Sequence, residues 1–369
     1  MIPVNTPLLE GNEKKYLNEC IDTGWISSEG PFVKEFETKF AEKMGKKFGI
    51  AVTNGTVALD ASVAALGIGE GDEVILPDFT IISCASAIVR AGAKPVAVDC
   101  TADTWNMDVS KLEAAITPKT KAIMVVHIYG LPTDMDPVLE LAKKHNLKII
   151  EDAAEAHGLQ YKNKPCGSFG DLSTFSFYPN KHVTTGEGGM ILTDDEDLAE
   201  RCRSLRNLCF QREKRFVHEE FGWNLRMTNM QAALGLAQLE QLDSFTEKKR
   251  NMGAFYTKEL ASLEDKIQLP VAETEYAKND YWVYGIVLKD TCDFEATHVM
   301  AELGKKKIGT RPFFWPMSEQ PVLNKMGLLT DTTCPNASRI ARRGFYIPSG
   351  LGLSTDDMKT VVTELKEIL

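Results

Sequence analysis

The stretch KAIMVVHIYGLPTDMDPVLELAKKHNLKIIED, from Lys121 to Asp152, decides the fold. It opens on an apolar run, Lys121 to Tyr129, and closes on another, Leu147 to Asp152. Between them a Gly130-Leu131-Pro132 turn leads into Asp134 to His145, whose apolar residues recur at helical spacing. Asp134 is placed to cap that helix, and His145-Asn146 to close it. Short apolar runs rich in Val and Ile suit strands buried on both faces, and strand, helix, strand is the unit of a parallel sheet.

The same alternation continues outward. EVIL (Glu73 to Leu76) and KPVAVD (Lys94 to Asp99) read as strands, and Thr80 to Ala91 and Asp108 to Ile116 as helices. Crossovers of this kind are nearly always right-handed, which gives an α/β class and an α/β/α sandwich with a mainly parallel sheet. From Thr228 to Leu263 the pattern is helical almost without break, as expected of a helix joining two domains. The boundary is set within it, near Lys249-Arg250: residues 1–250, N-terminal helices included, form a large domain, and residues 251–369 a smaller α+β domain. In the latter, Tyr281 to Leu288 is a strand, Glu295 to Leu303 a helix and Asp356 to Ile368 a closing amphipathic helix. No internal repeat or low-complexity segment is found.

A chain of 369 residues can bury a sizeable core. Its net charge of −10 argues against broad affinity for nucleic acid or anionic membrane. No run approaches the roughly 20 apolar residues of a membrane span, and the N-terminus lacks the basic and apolar regions of a signal peptide. The eight cysteines are scattered, without a C-x-x-C pair or metal-ligand spacing. They read as reduced thiols, which implies a cytoplasmic address and no metal site.

Three features carry chemistry. Thr53-Asn54-Gly55-Thr56 leads into an Ala-rich helical stretch. It is either a plain turn and cap or a cradle in which backbone N–H groups and the helix dipole meet a phosphate. Asp152 ends an apolar strand, where ligands of open α/β sheets bind. A carboxylate there either caps the next turn or pairs with a cationic group such as a protonated ring nitrogen. The third is Ser173 to Lys181, STFSFYPNK, followed by HVTTGEGG to Gly189. A strand ending in Ser and Lys with a Gly-rich return places an amine on an exposed turn at a sheet edge. Desolvation or nearby cations can make such a lysine a nucleophile, and the glycines let backbone pass close to a bound ring. The specialised flanks favour this over a surface lysine.

These motifs carry a resemblance over nearly the whole chain. ISSEGPFVKEFE, NGTVAL, GDEVILP, EDAAEAHG, SFYPNKHVTTGEGG, NLRMTNMQAALGLAQLE, GTRPFFWPM and the Gly344 to Gly350 stretch together resemble the DegT/StrS-type sugar aminotransferases. These are fold-type I enzymes dependent on pyridoxal 5′-phosphate (PLP), and the resemblance is nearest to their perosamine-synthase-like branch. It implies that Lys181 holds PLP as a Schiff base and shuttles the proton, and that Asp152 keeps the pyridine nitrogen protonated. It implies further that Glu155 reaches the ring hydroxyl, that Gly55, Thr56 and Ser176 bind the phosphate, and that Asn224 reaches it from a neighbouring subunit of a homodimer. Thr185, Arg226 and Arg311 fall where family members line the substrate pocket. The implied reaction is ping-pong transfer from an amino acid, L-glutamate by expectation, through the pyridoxamine phosphate form to a keto acceptor. That acceptor is expected to be a nucleotide-linked 4-keto-6-deoxy sugar.

Two positions depart from the pattern. Ile81 stands where an aromatic residue usually covers the cofactor ring, and Ser318 stands where perosamine-type relatives have a His associated with the sugar. The second leaves a smaller keto substrate, with or without a phosphate, as an alternative acceptor. A non-catalytic PLP- or sugar-binding regulator is the reading from a different class; Lys181, Asp152 and Ser176 count against it. An oxidoreductase is disfavoured because no G-x-G-x-x-G opens the first βα unit.

Overall fold

The computed structural model describes residues 1–211 and 213–369. A seven-stranded sheet is built from β1 (Phe48–Val52), β2 (Glu73–Pro77), β3 (Lys94–Val98), β4 (Thr120–Val126), β5 (Lys148–Asp152), β8 (Leu172–Ser176) and β9 (Gly189–Thr193). A small hairpin, β6 (Gln160–Tyr161) and β7 (Lys164–Pro165), separates β5 from β8. The strand order is β1-β9-β8-β5-β4-β2-β3, and only β9 runs against its neighbours. The helices preceding α10 are α1 (Glu13–Thr23), α2 (Pro31–Lys43), α3 (Gly55–Ala65), α4 (Ile82–Arg90), α5 (Leu112–Ala115), α6 (Met135–His145), α7 (Glu196–Arg206), α8 (Asn229–Leu239) and α9 (Leu242–Leu260).

Alternation along β4 shows why the opening stretch folds as it does. Ile123 and Val125 enter a core shared with α2, α6 and α8, while Ala122, Met124 and Val126 enter one shared with α3 and α4. Both faces are covered, so the run has no polar side. Asn146 closes α6 in the left-handed conformation, φ 53°, its N–H returning to the carbonyls of Ala142 and Lys143. Asp134 occupies the N-cap position but makes no side-chain cap there; its carboxylate instead accepts a hydrogen bond from the Tyr161 hydroxyl at 2.6 Å.

The aromatic residues of α2 fix the strand that matters most for the site. Phe40 meets Phe175 and Phe177 edge-on, with centroids 4.9 and 5.0 Å apart. Such pairs add about 0.5–1.5 kcal/mol each beyond their buried area. They hold the outgoing end of β8, from which the loop carrying Lys181 departs.

The predicted unbroken helix from Thr228 to Leu263 is two helices. α8 ends at Leu239, and α9 starts at Leu242 after Gln241 leaves helical geometry at φ −108°, ψ 4°. Lys249 is buried, donating to the Trp282 carbonyl at 2.8 Å and to that of Ser349, and Arg250 pairs with Asp280 at 2.6 Å.

Beyond α9 lies a second, antiparallel sheet of order β10-β11-β13-β12, made of Ile267–Gln268, Tyr284–Leu288, Gly344–Ile347 and Arg311–Pro312 respectively. Helices α10 (Ala296–Lys305), α11 (Pro321–Lys325), α12 (Pro335–Arg343) and α13 (Thr355–Ile368) accompany it. The strand expected from Tyr281 begins only at Tyr284, because Tyr281 adopts φ 48° and breaks the extended run. The first residues also cross over: Ile2 donates to Lys307 O, and Val4 O accepts from Ser349 N–H. We propose residues 1–250 and 251–369 as the two units, with this N-terminal strap reaching onto the second. No helix among the described residues is long and apolar enough to cross a membrane.

Candidate active site

A cavity of about 690 Å³ opens at the carboxyl ends of the parallel strands, between the large sheet and the second unit. Its lining brings together Gly55, Thr56, Ile81, Asp152, Glu155, Ser176 and Lys181, seven of the residues singled out in the sequence.

Lys181 is neither exposed nor at a sheet edge, as the sequence had suggested. β8 is an interior strand flanked by β5 and β9, and the Lys181 side chain is 10% exposed. The loop after β8 is stitched down on both sides. Phe177 N–H donates to Gly188 O, Thr185 N–H and the Thr184 hydroxyl donate to Phe177 O, and the neighbouring His182 and Val183 are both hydrogen-bonded to His157. Nζ lies 3.7 Å from Glu155 Oε1 and 3.7 Å from the centroid of the Trp282 ring. Burial holds this amine below its ordinary pKa even though Glu155 and Asp152 pull the other way.

Asp152 sits at the floor, at the end of β5. Oδ1 accepts the Ala154 N–H at 3.1 Å and Oδ2 accepts the Cys84 thiol at 3.2 Å. Burial raises its pKa, opposed by those two donors and by Lys181. Burial likewise pushes Glu155 up to about 7 against the pull of Lys181, while Tyr129 N–H fixes its Oε2 at 2.8 Å. Cys84 is itself held well above the ordinary thiol range by burial and by Asp152, so it remains a donor.

The opposite end of the cavity is the start of α3. Asn54 caps it through Val57 N–H, at 3.0 Å, and its carbonyl takes Ala58 N–H. The N–H groups of Gly55 and Thr56 have no acceptor among the described residues, as expected of a helix start facing an anion. A Cβ added to Gly55 would lie 2.8 Å from the Ser176 Cβ, so only glycine lets this helix end approach Ser176. The cradle therefore fits a phosphate, and the acid, glutamate and amine across the cavity fit the remaining atoms of PLP. We expect Gly55→Ala to raise the PLP concentration for half-loading by about tenfold, equivalent to one charge-assisted hydrogen bond. Titration of the stripped protein with PLP measures this, and an unchanged midpoint would remove the phosphate from this end.

Five expected positions lie off the cavity in this chain. Thr185 is buried, its hydroxyl donating to Glu187 O at 2.7 Å. Arg226 donates to Asn207 at 2.7 Å and lines a separate cleft with Arg206 and Arg215. Asn224 pairs through its backbone with Asn207, and Arg311 is exposed on β12. Ser318 is buried with its N–H and hydroxyl both on the Asp78 carboxylate, at 2.7 and 2.9 Å. It holds the chain after Pro316 to the end of β2 and does not line the cavity.

Among the lining residues that the sequence reading did not single out, three are aromatic residues of the second unit. Trp282, Phe314 and Tyr346 come from the second unit and form an aromatic wall over Lys181. Phe314 was visible within GTRPFFWPM, but nothing local marked Trp282 or Tyr346.

Comparison with known proteins agrees with this geometry. The family model described as "DegT/DnrJ/EryC1/StrS aminotransferase family" matches residues 7–366. The chain is 45% identical to the GDP-perosamine synthase of Caulobacter vibrioides, covering 100% of this chain and 98% of that one. It is 43% identical to the GDP-perosamine synthase of Escherichia coli O157:H7, covering 99% and 98%. The PLP form of a sugar aminotransferase from Streptococcus pneumoniae superposes with a TM-score of 0.91 at 26% identity, covering 100% of this chain and 99% of that one.

Proposed function

The chain belongs to the DegT/DnrJ/EryC1/StrS aminotransferase family, whose members depend on PLP, and from that premise we propose its acceptor, its donor and the roles of its residues. It is an aminotransferase acting on the keto group of a sugar. The acceptor we propose is a nucleotide-linked 4-keto-6-deoxy sugar, and the donor L-glutamate, used in alternating half-reactions.

The observation that carries the acceptor is the wall of Trp282, Phe314 and Tyr346. Apolar faces of a pyranose ring suit aromatic surfaces, and among the described lining residues the only cations are Lys181 and Arg90, the latter held by both Asp60 oxygens at 2.9 Å. The names of the relatives point the same way.

Gly55, Thr56 and Ser176 would hold the cofactor phosphate, Asp152 the ring nitrogen, Glu155 the ring hydroxyl, and Ile81 one face of the ring. When bound, PLP supplies an electron-withdrawing ring that stabilises charge at the carbon losing a proton. Burial lowers the pKa of Lys181, which favours the unprotonated Nζ needed to take that proton and return it one position away. Tyr129 and the stitched 177–188 loop fix Glu155 and Lys181, and the aromatic wall excludes water. Asn224 of the partner subunit would complete the phosphate site. The homodimer this requires is supported by the apolar residues exposed near that segment, Trp25, Ile26, Phe221 and Trp223. A cytoplasmic location is supported by eight free, buried thiols.

The test uses enzyme exhausted with L-glutamate and separated from it. GDP- and UDP-linked 4-keto-6-deoxy sugars and small phosphorylated ketones are then added singly. We expect only a nucleotide-linked sugar to restore the visible absorbance band in one turnover. Restoration by the small ketones alone would overturn the proposed acceptor.

A further inference from the structure

Trp282 is 4% exposed, and two of its contacts bear on Lys181. Its ring face lies under Nζ, 3.7 Å from centroid to nitrogen. Its indole N–H donates at 2.8 Å to the carbonyl of Asn180, the residue immediately before the lysine. Its own carbonyl is taken by the buried Lys249 Nζ at 2.8 Å.

The segment that carries it is tightly constrained. Tyr281 sits at φ 48°, its N–H bound to Asn279 Oδ1 at 2.7 Å, and Asp280 N–H reaches Gly130 O at 2.8 Å. A Cβ on Gly130 would lie 2.5 Å from Trp282 N, so the chain after β4 is glycine where this tryptophan is pressed against it. A residue of the second unit is thereby fixed over the amine of the first.

We propose that Trp282 is a positioning residue for Lys181, its indole face holding Nζ in place whenever that nitrogen is free and protonated, and its N–H fixing the backbone from which the lysine departs. This rests on the reading of Lys181 as the reactive amine. A desolvated cation over an aromatic face is a favourable contact, and it keeps a flexible four-carbon side chain from wandering while it is not bonded to the cofactor. Glu155 supplies the opposing carboxylate at 3.7 Å, so the amine is held between an anion and a ring.

The other groups that act on Nζ are accounted for. Asp152 lies on the floor; His157 and His182 lie behind the loop and are kept neutral by burial, His182 down to about 3. Tyr346 belongs to the same wall and is pushed by burial up to about 12. Burial pushes Glu155 up to about 7, so the contribution of Trp282 is read as a difference between variants that all retain Glu155.

The test strips the full-length protein of cofactor and follows the growth of the visible band on adding PLP, across a pH series. Bond formation needs unprotonated Nζ, which attacks the aldehyde carbon as water leaves, so the inflection in rate reports the proton on Lys181. Losing the ring face destabilises the cation. Trp282→Leu should therefore move the inflection to lower pH by about one unit and lower kcat about tenfold with little change in KM. Trp282→Phe, which keeps the face, should titrate close to wild type. Trp282→Met, of similar bulk without a ring, replaces the leucine variant if that one does not fold.

A leucine or methionine variant titrating like wild type, or a phenylalanine variant shifted as far as leucine, would overturn the inference. Lys181→Ala separates the two levels. If it gives no band while Trp282→Leu is unshifted, only the role of Trp282 falls; if it gives the band normally, the reading of Lys181 falls with it.

Discussion

Lys181→Ala is expected to lower kcat by more than about 10⁴-fold, the upper range for loss of a positioned acid–base group. The purified variant should lack the visible band of the wild type. Among the described residues lining the cavity, no second amine can substitute. Arg90 is the other cation there; its guanidinium is not an amine, and both Asp60 oxygens hold it. The loss should be chemical and not conformational, because the loop on either side is held by His157, Gly188 and the Phe177 carbonyl, none of which depends on the lysine side chain. Added small alkylamines should restore a minor part of the rate. Steady-state assays, with and without such amines, check this; a variant retaining more than about a tenth of the wild-type rate would contradict it.

Asp152→Asn is expected to lower kcat by about 10²–10³-fold, a loss comparable to that of one preorganised electrostatic partner in a water-excluded site. The change conserves shape. Asparagine keeps one carbonyl oxygen for Ala154 N–H but loses the charge and presents an NH₂ either to the Cys84 thiol or to the cofactor. A cationic ring nitrogen would then face no counter-charge in a place where burial already disfavours the ion. PLP should still load, since its phosphate is held at the other end of the cavity, so the defect should appear in kcat and in the position of the visible band more than in cofactor content. Rates within about threefold of wild type would show that the carboxylate has no such role.

The two strands at the ends of Lys121 to Asp152 were legible because both faces of each are covered, which leaves Ala122 to Val126 and Ile149-Ile150 wholly apolar. Asn146 was legible because it alone near that point tolerates the left-handed turn. The lysine was identifiable from its flanks, yet its setting was not: β8 becomes interior only because β9 returns antiparallel and β1 adds beyond it, a long-range pairing that no local pattern announces. The break at Glu240-Gln241 hid because both halves keep helical spacing across it. The setting of Ser318 was hidden since a motif position does not tell which way a side chain points, and here Asp78, 240 residues away, decides. Trp282 and Tyr346 were invisible for a similar reason. They meet Lys181 only after the second sheet docks on the carboxyl ends of the first.

Everything in the proposed chemistry depends on which nitrogen carries the cofactor. Borohydride reduction of the loaded enzyme, followed by proteolysis and mass spectrometry of the peptides, reads this directly. The expected result is a single pyridoxyl-modified peptide spanning Lys181, recovered in stoichiometric yield and absent when L-glutamate is supplied before reduction. Modification at another lysine, or none in a protein that still transaminates, would contradict the assignment.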